Sequence, residues 1–397
     1  MRYLNKRPPV NERMRKTIFA LLFAWAGITS GDSAQNTADR CGHCNTFKGP
    51  GIDITRGKTQ VIFPEQEIFC PAANIFRFAN GDIQVSLPYN SPPAGYKSRR
   101  SSDGGKTWVA GTTRFGAHAY QFPDGEMVCF DDMEHRPTGQ QVRRLRDGVY
   151  KIDFFRSTDN GHTERKEEAT LYIPDVHVPK TYVNHSIIRI RDGSLLACYQ
   201  TADQQEGVYN GRSHVMRSED RGKTWHYRST VAFDLALDLK DPLRKRRSEG
   251  FCEPALLALA NGDLLCFMRS GGSSYDDTST HSPLYLSRSD DDGKTWSHAD
   301  PIADRGVFPN SVLMKNGIIA VVYGRRGNWI MFSPDQGKTW GGAINFDTGP
   351  EPRDCGNYFS LTEVAQDTIL VVYSRANPND CTRSEIWGTY FTVRRSD

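Results

Sequence analysis

Five copies of an eight-residue pattern, Ser-x-Asp-x-Gly-x-Thr-Trp, constrain the fold of this chain more than any other feature of its sequence. The copies begin at Ser101, Ser157, Ser218, Ser289 and Ser333. Ser and Asp side chains satisfy backbone donors in tight turns, Gly tolerates positive φ, and Trp packs against the flanking strands. Only the second copy lacks the Trp and has Glu164 instead. The pattern predicts a β unit that is repeated along the chain.

A second periodic signal alternates with these octapeptides. It is an apolar run interrupted by Asn-Gly or Asp-Gly, the strongest short sequence signal for a β-hairpin. The turn residues are Gly81, Gly125, Gly193, Gly262 and Gly317, followed by Asp367 in a sixth run of the same shape. Successive turns lie 44 to 69 residues apart, which suits four-stranded propeller blades. We therefore predict an all-β fold, a six-bladed β-propeller, with seven blades as the alternative because the second and third units are long.

The N-terminus has the composition of a secretory signal peptide. Six Lys or Arg fall in the first sixteen residues, followed by the apolar stretch TIFALLFAWAGI and then small residues. This stretch is too short to span a bilayer, so we expect no membrane anchor. The predicted organisation is a signal peptide at 1–34, an N-terminal segment at 35–67 that could close the ring against the C-terminal strand, and a propeller at 68–397. The predicted location is secreted or periplasmic.

Charge, cysteine content and acidic runs bear on the partners, disulfides and metal ions that the chain could have. Without residues 1–34 the net charge is about −1, and a protein without a basic face is not expected to bind nucleic acid. All nine cysteines follow that segment, and their odd number leaves at least one outside any intramolecular disulfide. No sequence signature indicates a metal or cofactor. A structural calcium held by loop oxygens remains open, although the acidic run at 290–292 belongs to an octapeptide turn.

Candidate site residues follow from the hairpin spacing. The first strand of each propeller blade lines the central channel, and its leading residue points toward one mouth. Counting seven to nine residues back from each turn gives His118, His185, Glu253, Asn310 and Tyr358. Such side chains at corresponding places predict a site at this mouth. The alternative is that these residues are polar only because they meet water in the channel.

A second group lies six to eight residues beyond the turns. Its members are Tyr199, Arg269, Tyr323 and Arg325, with Arg326 as an alternative to Arg325. Guanidinium groups pair bidentately with planar anions, so these arginines predict a ligand that bears a carboxylate. For each arginine, an ion pair with an Asp or Glu of the protein is the structural alternative. Together with Asn310, we assign this group to substrate binding.

The octapeptides, their order after the hairpins, and the segments CEPALLALANGDLLCFMRS and CGNYFSLTEV resemble the sialidase superfamily of Asp-box, or BNR-repeat, β-propellers. The resemblance extends from about residue 68 to the end of the chain. It implies that Tyr358 is a nucleophile activated by Glu253, and that Arg269 and Arg325 bind a substrate carboxylate. A tyrosine nucleophile suits sialic acid, because the carboxylate on its anomeric carbon would repel an Asp or Glu.

The chain departs from this family in two places. The first inner strand, EIFCPAANIF, has no arginine where the family has Phe-Arg-Ile-Pro, and LPYNSPPAGYKSRR contains no carboxylate where the family has its acid/base aspartate. His118 or His185 could supply the missing proton transfer, because histidine titrates near neutral pH.

Three functions fit these residues. The first is a secreted, sialidase-like exo-glycoside hydrolase that cleaves the bond next to an acidic sugar. The second is a polysaccharide lyase, in which Arg neutralises a uronate carboxylate and His or Tyr transfers the protons of a β-elimination. The third is a glycan-binding propeller without catalysis. All three predict an acidic oligosaccharide or polysaccharide as partner.

Overall fold

The alternating apolar pattern forms strands throughout the part of the chain that the computed structural model describes. That part comprises residues 46–66, 73–87, 97–116, 118–130, 142–174, 180–205, 208–233, 250–270, 283–324, 327–347, 356–377 and 379–396. Every regular element within it is a β-strand, which confirms the all-β prediction. The predicted signal peptide, 1–34, lies outside the described residues, so the signal and the secreted location stay predictions, as do the domain boundaries.

The described strands range from three to sixteen residues in length. In chain order they are β1 (Thr46–Gly49), β2 (Ile52–Gln66), β3 (Asn74–Arg77), β4 (Ile83–Leu87), β5 (Lys97–Ser101), β6 (Val109–Gly111), β7 (Ala119–Gln121), β8 (Met127–Phe130), β9 (Val142–Arg146), β10 (Val149–Ser157), β11 (Arg165–Tyr172), β12 (Lys180–Arg189), β13 (Leu195–Gln205), β14 (Val208–Ser218), β15 (Thr224–Ala232), β16 (Phe251–Ala258), β17 (Leu264–Ser270), β18 (Leu284–Ser289), β19 (Asp300–Ala303), β20 (Val307–Leu313), β21 (Ile319–Gly324), β22 (Asn328–Ser333), β23 (Gly341–Asp347), β24 (Gly356–Ala365), β25 (Thr368–Asn377) and β26 (Asp380–Arg395).

Strand pairing divides the described strands into antiparallel sets. Set 1 is β3–β6, set 2 is β7, β8, β10 and β11 with β9 beside β10, and sets 3, 4 and 5 are β12–β15, β16–β19 and β20–β23. Set 6 is β24, β25 and β26, completed by the N-terminal strands β2 and β1. A parallel pairing of β11 with β15 joins sets 2 and 3 into one sheet. The N-terminal strand β2 therefore lies against the C-terminal strand β26.

The first strands of consecutive sets contact one another. β7 contacts β12, β12 contacts β16, β16 contacts β20, β20 contacts β24, and β24 contacts β3. The backbone N–H of Ala79, just after β3, donates to Gln121 Oε1 in β7 at 2.7 Å, which links sets 1 and 2. This succession is the arrangement of a β-propeller, in which each sheet packs on its two neighbours. The six-blade count for the whole chain stays a prediction.

Apolar clusters between adjacent sets form the core. Between sets 5 and 6, the ring of Phe346 packs edge-on against Phe359, Tyr373 and Phe391. Between sets 2 and 3, Trp225 is fully buried beside Phe130. The second strands of sets 4 and 5, Leu264–Ser270 and Ile319–Gly324, are buried along their whole length because apolar clusters cover both of their faces.

The Asp boxes are closed by side-chain hydrogen bonds within eight residues. In the fourth copy, Ser289 Oγ donates to Asp291 Oδ1 at 2.8 Å and accepts from the backbone N–H of Gly293 at 2.9 Å. Thr295 donates to the same carboxylate from its backbone N–H at 2.9 Å and from its hydroxyl at 2.7 Å. These local contacts explain why the pattern is readable from sequence alone.

The second Asp box replaces the tryptophan contact with an ion pair. In the third copy, Trp225 is buried and its indole N–H donates to the carbonyl of Gly222 at 3.0 Å. In the second copy, Glu164 accepts two hydrogen bonds from Arg114, one from the backbone N–H and one from Nε, each at 2.9 Å. The turn is therefore tied to the preceding set by charge instead of by an aromatic ring.

Acid is expected to destabilise the protein through the Asp boxes. Burial opposes ionisation, but hydrogen bonds from Thr163 and Thr295 help to outweigh it and lower the pKa of Asp159 and Asp291 from 3.8 to about 2. A carboxylate with a depressed folded-state pKa stabilises the fold above its unfolded pKa and loses that contribution as the pH falls through the folded value. We therefore expect the free energy of unfolding to fall between about pH 4 and pH 2. Urea denaturation across this range measures the loss, and Asp291→Asn should reduce its slope. Parallel curves for the two proteins would contradict the prediction.

The fifth residue of each Asp box requires glycine, and a substitution there should be costly. Gly222 has φ +86°, and a Cβ atom at this position would lie 2.5 and 2.8 Å from ring carbons of the buried Phe154. We expect Gly222→Ala to lower the free energy of unfolding by about 2–4 kcal/mol through backbone strain and overpacking. Gly104→Ala is the matched control, because Gly104 also has positive φ but no atom lies within 4 Å of its Cβ position. Equal losses for the two variants in urea denaturation would show that packing contributes nothing.

Candidate functional site

Four first strands share an irregularity near their start. The register with the second strand shifts between Val183 and Ile187, between Cys252 and Ala255, between Val307 and Asn310, and between Gly356 and Phe359. Three residues at these bulges have positive φ: Ser186 at 84°, Glu253 at 51° and Phe308 at 52°. β-Bulges re-aim side chains, and strained backbone of this kind is concentrated at functional sites. The bulges therefore mark one end of sets 3 to 6 as the candidate site.

Glu253 and Arg269 form a buried ion pair at this end. Arg269 Nε donates to Glu253 Oε2 at 2.8 Å, and Arg269 Nη2 donates to Oε1 at 3.0 Å. The side chain of Glu253 is only 8% exposed, and that of Arg269 only 10%. Bidentate pairing satisfies both carboxylate oxygens and fixes the orientation of both groups.

Neighbouring sets hold Glu253 from two further directions. The backbone N–H of Phe308, in set 5, donates to Glu253 Oε2 at 2.7 Å. The side-chain carbonyl of Gln200, in set 3, accepts a hydrogen bond from the backbone N–H of Glu253. Glu253 is thus positioned by residues of sets 3, 4 and 5 together.

Tyr358 joins this group through an aromatic contact. Its ring and that of Phe308 have centroids 4.3 Å apart and planes at 90°. Val307 and Phe308 are buried, and the half-buried Tyr358 packs against them. The structure therefore brings Glu253 and Arg269 into direct contact and connects Tyr358 to them through Phe308.

The residues predicted from the first strands do not all occupy corresponding places. In β20 the bulged residue that corresponds to Glu253 is Phe308, while Asn310 lies opposite Val322 and corresponds to Ala255. The prediction that Asn310 and Glu253 are equivalent is therefore wrong, because the sequence count of seven to nine residues crossed a bulge. Phe308 was missed because only polar side chains were considered. Its signal is its distance of nine residues before the turn, the same as for Glu253 and Tyr358.

The two predicted histidines belong to sets 2 and 3. His118 is buried and directly precedes β7. His185 lies in β12, and its side chain is outside the described part of the structure. Asn310 is buried in β20. The catalytic or binding roles of these residues stay predictions.

Tyr199 and Tyr323 lie in the apolar core between sheets. They are 2% and 3% exposed, and burial raises the pKa of both hydroxyls. Tyr199 stacks on His214 with ring centroids 4.9 Å apart. Both tyrosines stand six residues after a turn, whereas Gln200 and Arg269 stand seven residues after one and face the other way. This burial favours a packing role, and substrate binding stays a prediction. Arg325 and Arg326 lie outside the described residues.

Within the described ranges, no group of three His, Cys, Asp or Glu side chains is arranged to hold a metal ion. In the same part of the chain, no helix is long and apolar enough to cross a membrane. Four of the nine cysteines, Cys129, Cys198, Cys252 and Cys266, are buried in the core.

The family of the chain follows from its repeats. The model of the BNR repeat-like domain matches residues 116–379, about two thirds of the sequence. The chain belongs to this family. The matched residues of this BNR repeat-like protein include four of its five Asp boxes and all the site residues named above. A search of curated protein sequences finds no match.

Solved structures share the fold of this BNR repeat-like protein. A protein of unknown function from Dyadobacter fermentans has a TM-score of 0.63 at 20% identity, covering 87% of this chain and 100% of that one. The α-L-arabinanase of Penicillium chrysogenum, solved with arabinobiose, has 0.57 at 18%, covering 84% and 98%. The NanB sialidase of Streptococcus pneumoniae has 0.54 at 12%, covering 84% and 70%. The fold is thus the sialidase-like β-propeller, which these glycosidases also have.

Proposed function

We propose that this BNR repeat-like protein is a sialidase-like glycoside hydrolase that cleaves the glycosidic bond next to an acidic sugar. The observation that carries the proposal is the buried, bidentate Glu253–Arg269 pair, which Phe308 connects to Tyr358. The fold shared with a sialidase and an arabinanase also supports glycan chemistry. Because fold alone does not determine function, the proposal depends mainly on the site residues.

In the proposed mechanism, Glu253 accepts the proton of the Tyr358 hydroxyl. The phenolate oxygen attacks the anomeric carbon while the bond from that carbon to the leaving oxygen breaks. His118 or His185 protonates the leaving oxygen. A water molecule then attacks the tyrosyl-linked sugar, its proton goes to the same histidine, and Tyr358 recovers its proton from Glu253. Each residue ends in its starting state.

We assign Arg269 a different main role from the one that the family resemblance implies. Its Nε and Nη2 both donate to Glu253, so the arginine chiefly orients the base. Recognition of the sugar carboxylate would then depend on Arg325 or Arg326. This division is part of the proposal.

A neutral arabinosyl substrate is the second candidate. The engagement of Arg269 by Glu253 removes one of the arginines predicted to bind a carboxylate. In addition, the arabinanase is covered over 98% of its length, against 70% for the sialidase.

A parallel assay separates these functions. The full-length protein is incubated with sialosides, uronate-containing polysaccharides and arabinan, and released sugars and conjugated-alkene absorbance are both recorded. We expect release of an intact acidic sugar without new absorbance. Arabinose release would favour the second candidate, and alkene absorbance would replace hydrolysis by β-elimination. Binding of a glycan that is recovered unchanged would overturn the enzymatic proposal.

A further inference from the structure

We propose that Phe308 is a positioning residue that holds the base Glu253 and the nucleophile Tyr358 in one fixed arrangement. This inference rests on the proposed function. Phe308 is apolar and takes no part in the chemistry, but it contacts both reacting residues and has a strained backbone conformation.

Phe308 contacts both reacting groups with different parts of one residue. Its backbone N–H donates to Glu253 Oε2 at 2.7 Å, and its ring lies edge-on to the ring of Tyr358 with centroids 4.3 Å apart. Glu253 belongs to set 4 and Tyr358 to set 6, so Phe308 in set 5 bridges them. Because the N–H and the ring move together, a displacement of Phe308 changes the relation between base and nucleophile.

The backbone of Phe308 is strained. Its φ of 52° lies in the left-handed region, which bulky L-residues rarely adopt, and its side chain is only 2% exposed. Such conformations persist only where the surroundings over-determine them, and they are concentrated at functional sites. Glycine would adopt this conformation without strain, but it would supply no ring for Tyr358. The strained conformation of Phe308 is therefore explained by the contact that its ring makes with Tyr358.

A purely structural role predicts different behaviour from a positioning role. If Phe308 only fills space, its truncation lowers stability and leaves the turnover of the folded enzyme unchanged. If it positions Glu253 and Tyr358, truncation lowers kcat and leaves KM nearly constant, because misplacement of reacting groups slows the chemical step. The two roles are separated by kinetics on folded protein.

The first experiment compares Phe308→Leu with Phe346→Leu. Phe308→Leu removes the ring but keeps the backbone N–H and an apolar side chain. We expect kcat to fall about 10- to 100-fold with KM changed by less than about threefold. Phe346→Leu removes an equally buried ring that packs on Phe359, Tyr373 and Phe391, so it should lower stability and leave kcat unchanged. Equal kcat values for the two variants would overturn the inference.

A second measurement does not depend on turnover. The protein is labelled with 3-fluorotyrosine, and the ¹⁹F resonance of Tyr358 is assigned by its loss in Tyr358→Phe. We expect this resonance to shift or change its line width in Phe308→Leu and to stay the same in Phe346→Leu. An unchanged resonance in Phe308→Leu would overturn the inference. A changed resonance in a protein that cleaves none of the glycans would support the contact and overturn the proposed function instead.

Discussion

Glu253→Ala is expected to lower the free energy of unfolding by about 3–5 kcal/mol, because the guanidinium of Arg269 then stays buried without its carboxylate. Both side chains are at most 10% exposed, so water cannot compensate for the lost partner. The backbone N–H of Phe308 would lose its acceptor in the same substitution. Urea denaturation at neutral pH, monitored by tryptophan fluorescence, measures the change.

The control for this prediction is an exposed ion pair of the same chain. Lys48 and Asp53 lie 3.5 Å apart, with side chains that are 81% and 45% exposed. Lys48→Ala should change the free energy of unfolding by less than about 1 kcal/mol, because exposed pairs contribute little. The double variant Glu253→Gln with Arg269→Met should lower the free energy of unfolding by less than the sum of the two single variants. The reason is that the double variant removes both charges of the pair, whereas each single variant removes only one. A Glu253→Ala loss no larger than that of Lys48→Ala would contradict the buried pair.

Tyr358→Phe is expected to lower kcat by about 10³-fold or more, because the substitution removes only the hydroxyl that becomes the nucleophile. The ring that packs against Phe308 remains, so the fold should be retained. Initial rates on the substrate identified by the glycan assay measure the loss, and near-ultraviolet circular dichroism checks the packing of the variant.

Tyr285→Phe is the matched control, since it makes the same chemical change at a buried tyrosine whose ring packs edge-on against Phe251. Its kcat should stay within about threefold of the wild-type value, as expected away from the reacting groups. If Tyr358→Phe kept more than about a tenth of the wild-type kcat, Tyr358 would not be the nucleophile. Continued alkene formation by that variant would point to elimination with another base.

Local patterns were readable from the sequence because their contacts are local. The Asp boxes are closed by hydrogen bonds between residues two to four apart, as between Asp291 and Thr295. The hairpin turns likewise depend on adjacent residues, with Gly262 at φ 86° donating to the carbonyl of Leu259. These signals are sufficient for the all-β fold and for the family. The Glu253–Arg269 pair also spans one hairpin, so both residues could be selected from the spacing alone.

The arrangement of the site depended on contacts between sets, which no spacing along the chain encodes. Gln200 and Phe308 come from different sets and both contact Glu253, and Tyr358, from a third set, packs on Phe308. These contacts exist only because the sheets pack side by side. The bulges decided which residue of each first strand faces this group, since one inserted residue changes the face of every side chain that precedes it. Strand alternation likewise placed Tyr199 and Tyr323 in the core. Their next neighbours along the chain face the other way: Gln200 contacts Glu253, and Gly324 occupies the position of Arg269. The sequence by itself determined the repeated β unit through short-range hydrogen bonds, and the tertiary structure alone decided which side chains share the site.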